Sequence, residues 1–118
     1  MVTKVYPSAL SKIKILDLTH LVAGPYCTKL LADFGAEVIK VERAEGGDKA
    51  RDLPPFKDNM RGPEHSLLFQ YLNTNKKSVT LDLKSKVGKK AFFDLVDHCD
   101  LLVENFKPGT LQSLGIDR

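Results

Sequence analysis

Arg43, Lys84 and the pair Asn105-Phe106 are the side chains of this sequence best suited to gripping a phosphorylated, planar ligand. Each follows a run of apolar residues that reads as a strand. Arginine presents planar donors that reach two phosphate oxygens at once. An amide beside an aromatic ring can hydrogen-bond to and stack on a flat heterocycle. A fourth element is the segment Thr19 to Gly24, which leads into a helix opening at Pro25. The first N–H groups of a helix lack partners within it and make a seat for a phosphate. The alternatives are a surface Glu42-Arg43 pair, which stabilises little, and a turn residue next to a core phenylalanine. Lys76, Lys77, Lys86, Lys89 and Lys90 read as a solvated basic face.

Other reactive types form no constellation. Cys27 falls in the first turn of that helix, where a thiol could be activated. It also falls on an apolar stripe with Leu30, Leu31 and Phe34, so it reads as a structural cysteine. His20 could face the ligand from its loop, while His65 and His98 read as surface residues. Asp17 lies among apolar strand residues and is expected to brace a neighbouring loop. Neither a carboxylate pair, a metal cluster nor a Ser-His-Asp order emerges, and Cys27 and Cys99 suggest neither zinc nor a disulfide framework.

The elements that must carry these groups are legible from periodicity. Ile13 to Leu18 reads as a buried strand, followed by a helix with Pro25 at its first position. Gly35 ends that helix in a left-handed cap, and Glu37 to Val41 is a second strand. Arg43 to Gly62 shows no pattern and reads as a long loop. Ser66 to Leu72 is a short helix, Ser78 to Leu83 a third strand, and Ser85 caps a helix carrying Val87, Phe92 and Leu95. Leu101 to Val103 is a fourth strand and Thr110 to Leu114 a helical turn. The fold class is α/β: a Rossmann-like open parallel sheet with flanking helices, incomplete, whose ligand edge is the carboxyl ends of the strands.

The chain has 118 residues and a net charge of +3, enough for one modest domain and a mild preference for anions. That charge is too weak to argue for nucleic acid, and no run is apolar enough to span a bilayer. The first twelve residues read as an N-terminal extension with residues 13–118 as the domain. The expected compartment is the cytoplasm. The mitochondrion is the alternative, because the N-terminus is lysine- and serine-bearing and lacks acidic residues.

Three segments, DLTHLVAGPYCTKLLADFGAEVIKVER, NKKSVTLDLKS and CDLLVENFKPGTLQSLGI, resemble the N-terminal part of family III CoA-transferases, the CaiB–BaiF group, in order and at the expected separations. The resemblance implies a CoA-binding Rossmann-like domain, a second smaller domain and an interlaced homodimer. It places CoA-lining positions on Val22, Ala23, Arg43, Leu81, Lys84, Asn105 and Phe106. A further basic family position falls on Ser113, which removes one phosphate contact. It implies no permanently bound cofactor and no metal; coenzyme A and acyl-CoA enter as substrates, with a carboxylic acid as acceptor. The implied mechanism runs through an aspartyl anhydride and an enzyme-CoA thioester, with the aspartate expected beyond Arg118. The chain thus reads as an N-terminal fragment, inactive alone. The formyl-CoA:oxalate branch carries glutamine where Val22 stands, which suggests another donor and acceptor here. Alternatives are an acyl-CoA racemase of the same superfamily or a non-catalytic truncated product. An NAD-dependent dehydrogenase is disfavoured, since G-x-G-x-x-G is absent after the first strand.

Overall fold

A computed structural model describes residues 6–116. Its elements follow in the order β1 (Lys14–Asp17), α1 (Ala23–Asp33), β2 (Glu37–Arg43), α2 (Leu67–Leu72), β3 (Lys77–Leu81), α3 (Lys86–Val96), β4 (Leu101–Val103) and α4 (Thr110–Ser113). The four strands form one sheet in the order β3-β2-β1-β4, every pairing parallel. A sheet of parallel strands joined by helices must cover both of its faces, so its central strands read as continuous apolar runs. Accordingly Ile15 and Leu16 of β1 are both buried though they point to opposite sides.

The two faces hold two cores. Leu16, Leu18, Val41, Phe92 and Ile116 pack on one side with residues of α3 and α4. Ile15, Ala32, Ala36 and Val38 pack on the other with α1. Ser85 caps α3 as the sequence indicates, its hydroxyl accepting from the Gly88 amide at 2.9 Å. Gly88 is buried where α3 crosses the chain after β3, and a methyl group there would overlap the Asp82 carbonyl. Gly35 ends α1 at φ +102°, a conformation that glycine adopts without strain.

Three expectations change. First, α1 begins at Ala23, with Val22 at the N-cap, so Pro25 is its third residue and not its first. Second, its apolar stripe of Cys27, Leu30, Leu31 and Phe34 meets the core only through Leu31, which packs against the Ile15 cluster. Tyr26, Leu30 and Phe34 are 45%, 39% and 61% exposed, and Cys27 is exposed as well. Pro25, Thr28 and Ala32 face the sheet instead. Periodicity follows the large apolar groups, whereas close helix–sheet packing over a polar strand end selects small ones. Third, the loop after β2 is not patternless: it contains two 3-10 turns, Lys49–Asp52 and Lys57–Asn59. Ser66 knits it together, its hydroxyl donating to the carbonyls of Ala50 and Leu53 at 2.9 and 2.7 Å.

Residues 1–5 of the expected N-terminal extension lie outside the described residues. The following turn packs on the end of α1, with the Leu10 amide donating to the Phe34 carbonyl at 3.0 Å. No helix of the described residues is long and apolar enough to cross a membrane.

Candidate functional site

The carboxyl ends of β1, β2 and β4 enclose a cleft of about 200 Å³, lined among others by Leu18, His20, Val41, Arg43, Lys49 and Phe106. Its position follows from topology. In an open parallel sheet the loops leave the carboxyl ends, and a crevice opens where neighbouring loops diverge to opposite faces. Here β1 is that divide: α1 follows β1 on one face and α3 precedes β4 on the other.

The floor of the cleft is the turn between β1 and α1, and the amides of Leu18 to Leu21 are each held by a hydrogen bond. The Leu18 amide donates to the Val103 carbonyl at 2.8 Å. The Thr19 amide donates to Asp17 Oδ1 at 2.8 Å. His20 is clamped by Asn105, whose Oδ1 accepts from the His20 amide at 3.0 Å and whose Nδ2 donates to the His20 carbonyl at 2.9 Å. The Leu21 amide donates to Asp48 Oδ1 at 2.9 Å. The His20 ring stacks on Phe106 with centroids 5.4 Å apart, forming one wall.

Beneath this floor is a network of charged groups that the sequence concealed. Lys40 is 1% exposed; its Nζ donates to the Thr19 carbonyl and pairs with Asp48 Oδ2, both at 2.8 Å. Asp17, fully buried, accepts from both threonine hydroxyls, Thr19 and Thr28, and from Lys76 Nζ. Burial pushes the Asp17 carboxyl up, but Lys40, Lys76 and the two hydroxyls outweigh it and hold the group below the usual carboxylate range. Burial also lowers the basicity of Lys76.

Lys76 therefore does not belong to a solvated basic face. It is sealed between Asp17, the Pro25 carbonyl and Asn73 Oδ1, at 2.9, 3.0 and 2.9 Å. Lys77 does remain exposed. Glu42 and Arg43 do not pair with each other, because successive strand residues point to opposite faces. Glu42 is buried and binds Arg51 through both oxygens, at 2.8 and 2.7 Å. Arg51 in turn stacks on Phe69 at 3.8 Å.

The positions expected to line a CoA site divide into two groups. Arg43 and Phe106 lie on the cleft, and Asn105 shapes it through His20. Arg43 donates from Nε and Nη2 to the Gly47 carbonyl at 3.2 and 3.0 Å, which draws the following loop over the cleft mouth. Val22 and Ala23 are exposed at the start of α1. That first turn offers the amides of Ala23 and Gly24, since Pro25 has none and the Tyr26 amide donates to the Val22 carbonyl. Leu81 ends β3 opposite Arg43 in register. Lys84 is exposed in the next turn, its amide donating to Asp82 Oδ1 at 2.9 Å. Neither Leu81 nor Lys84 borders the cleft.

Sequence reasoning missed Lys40, Asp48 and Arg51. A lysine inside an apolar strand, in EVIKVE, was the available signal. For Asp48 and Arg51 the only one was a Gly-Gly-Asp turn after the strand.

Comparison with known proteins gives the family. The sequence matches the model for CoA-transferase family III over residues 10–118. It is 48% identical over 104 residues to a succinyl-CoA:mesaconate CoA-transferase of Haloarcula hispanica, covering 88% of this chain and 26% of that protein. It is 50% identical over 111 residues to a formyl-CoA:oxalate CoA-transferase of Rhodopseudomonas palustris, covering 91% and 24%. The chain thus spans about a quarter of the length of the curated relatives it matches. Among solved structures it resembles a CAIB/BAIF family protein from Brucella suis, with TM-score 0.83, 34% identity, and coverage of 96% of this chain and 30% of that one. It also resembles a hypothetical protein from Mycobacterium tuberculosis, with TM-score 0.80, 38% identity, and coverage of 94% and 29%.

Proposed function

The chain belongs to CoA-transferase family III, and we propose that it forms part of the surface on which such an enzyme holds coenzyme A. There CoA passes from an acyl thioester to a carboxylic acid. One observation carries the reading. The cleft at the carboxyl ends of the strands brings a cation, Arg43, next to a stacked aromatic wall, His20 and Phe106. A nucleotide with several phosphates needs both. Two nitrogens of Arg43 are committed to Gly47, and its remaining donors are available to a phosphate oxygen. Lys49 adds a second positive charge on the same cleft.

The chemistry proposed for the whole enzyme is covalent catalysis. A carboxylate attacks the thioester carbonyl, the C–S bond breaks and CoA leaves as the thiolate. The thiolate then attacks the aspartyl carbonyl of the mixed anhydride, releasing the first acid and leaving an enzyme thioester. The acceptor acid reverses the two steps. Asp17 and Asp48 are not suited to that attack, because both are buried and their oxygens are occupied by hydrogen bonds and ion pairs. We assign the nucleophile to the part of the protein that the relatives possess beyond this chain, and expect no transferase activity from the 118 residues alone. Val22, 48% exposed at the start of α1, is a hydrocarbon with no amide to offer an acyl carboxylate. It supports an acyl pair other than formate and oxalate.

Calorimetric titration of the chain with coenzyme A, in competition with NAD, tests the reading. Coenzyme A is expected to bind and NAD to leave that binding unchanged. Equal displacement by NAD, or loss of nothing on Arg43→Ala, would defeat it.

A further inference from the structure

Leu21 adopts φ +67°, a left-handed conformation that a branched aliphatic residue avoids. A strained residue persists where its surroundings over-determine it. Asn105 clamps the preceding residue, His20, and the Leu21 amide itself is held by a side chain 27 positions away. Asp48 Oδ1 accepts from the Leu21 amide and from the Ala50 amide, both at 2.9 Å. Its other oxygen faces Lys40 Nζ at 2.8 Å, and its own amide donates to Glu42 Oε2 at 2.8 Å. Asp48 is 4% exposed, so no water competes for these bonds. The residue is held from three directions and holds Leu21 in a fourth.

The consequence falls on the two positions after Leu21. A left-handed residue reverses the chain at the entry to α1, where Val22 is the N-cap and both Val22 and Ala23 are exposed. A right-handed or extended Leu21 would aim them elsewhere. The same Asp48 stands directly after Gly47, whose carbonyl anchors Arg43. One carboxylate thus couples the loop after β2 to the loop after β1.

We propose that Asp48 is a positioning residue for coenzyme A: it holds Leu21 left-handed and so presets the β1–α1 turn, together with the Arg43 loop, in the shape that binds the nucleotide. This rests on the coenzyme A reading above. Asp48 acts through the Leu21 amide and need not touch the ligand.

The test uses four variants with two readouts: amide hydrogen exchange at Leu21 and calorimetric affinity for coenzyme A, with melting temperature recorded alongside. Asp48→Ala is expected to expose the Leu21 amide to exchange and to weaken coenzyme A about tenfold. Asp48→Asn keeps an acceptor but loses the charge facing Lys40. It is expected to lower the melting temperature while affinity stays within about threefold. Adding Leu21→Gly to Asp48→Ala removes the penalty for a left-handed backbone, so most of the affinity should return although the melting temperature does not. Leu21→Val puts a β-branch where it is least tolerated and should weaken coenzyme A while lowering the melting temperature no more than Asp48→Asn does. It carries the test, with Asp48→Asn, if Asp48→Ala fails to fold. The proposal is overturned if Leu21 exchanges as fast in the wild type as in Asp48→Ala, if the glycine gives no recovery, or if Leu21→Val binds like the wild type. Absence of coenzyme A binding by the wild type would instead strike the functional reading. The hold on Leu21 would then stand or fall on the exchange data.

Discussion

Asp17 Oδ2 and Lys76 Nζ meet at 2.9 Å across 59 positions of sequence, with their side chains 0% and 1% exposed. The pair joins the end of β1 to the residue that precedes β3, the far strand of the sheet, and lies against the first turn of α1 through the Pro25 carbonyl.

Removing one partner of a buried pair leaves the other charged without compensation. Asp17→Asn is therefore expected to cost about 3–5 kcal/mol. Chemical denaturation at neutral pH measures it. A loss below about 1 kcal/mol, the worth of a surface pair, would show that the ammonium finds water.

Glu42 contributes, with Asp17, to the acid sensitivity of the fold. Burial pushes its carboxyl up, but hydrogen bonds from Arg51 and the Asp48 amide outweigh that and hold it below the usual range. A depressed value in the folded state means the stabilisation is full above the unfolded value near ~4.3 and is lost as pH falls through the folded one. Glu42→Gln should therefore lower the melting temperature at pH 7 and flatten its decline in acid. Parallel acid limbs for the two proteins would contradict this origin.

Gly88 tolerates no side chain. Its added methyl group would overlap the Asp82 carbonyl, so Gly88→Ala must push α3 away from the end of β3. Overpacking of this kind costs about 1–3 kcal/mol. That outweighs the roughly 1 kcal/mol by which alanine normally favours a helix. A rise in melting temperature would refute the clash.

The two thiols should separate kinetically. Cys27 is exposed, whereas Cys99 is half-buried and burial pushes its thiol up. Because the thiolate is the reactive form, an aromatic disulfide reagent at neutral pH should label one thiol quickly and the other slowly. Cys27→Ser is expected to abolish the fast phase.

Strands and long helices were readable because each buries a regular face. Ser85 and Gly35 were readable because a cap demands their chemistry. The cleft position was readable by rule, since residues after parallel strands share an edge, but the rule also put Lys84 of the third strand there, and Lys84 does not border the cleft. Lys76, Asp48 and Arg51 were not readable, since buried polar groups have no period and their partners lie far along the chain. The outward face of α1 misled for the opposite reason. Cys27, Leu30 and Phe34 carry a helical period without being buried among the described residues, and only Leu31 of that stripe reaches the core.

Lys76 immediately precedes β3, and its ammonium fits a socket built from one carboxylate, one amide oxygen and one carbonyl. A strand sliding by a residue would turn every side chain to the opposite face and would also pull this lysine out of its socket. The salt bridge thus serves as an alignment key more than as glue. Replacing both partners with hydrocarbon, as in Asp17→Leu with Lys76→Met, also strips the Thr19 amide and the buried Thr19 and Thr28 hydroxyls of their acceptor, so it should lower the melting temperature and broaden the β3 amide resonances as neighbouring registers become populated. The ordering of the outermost ribbon would then rest on a single well-placed ammonium ion.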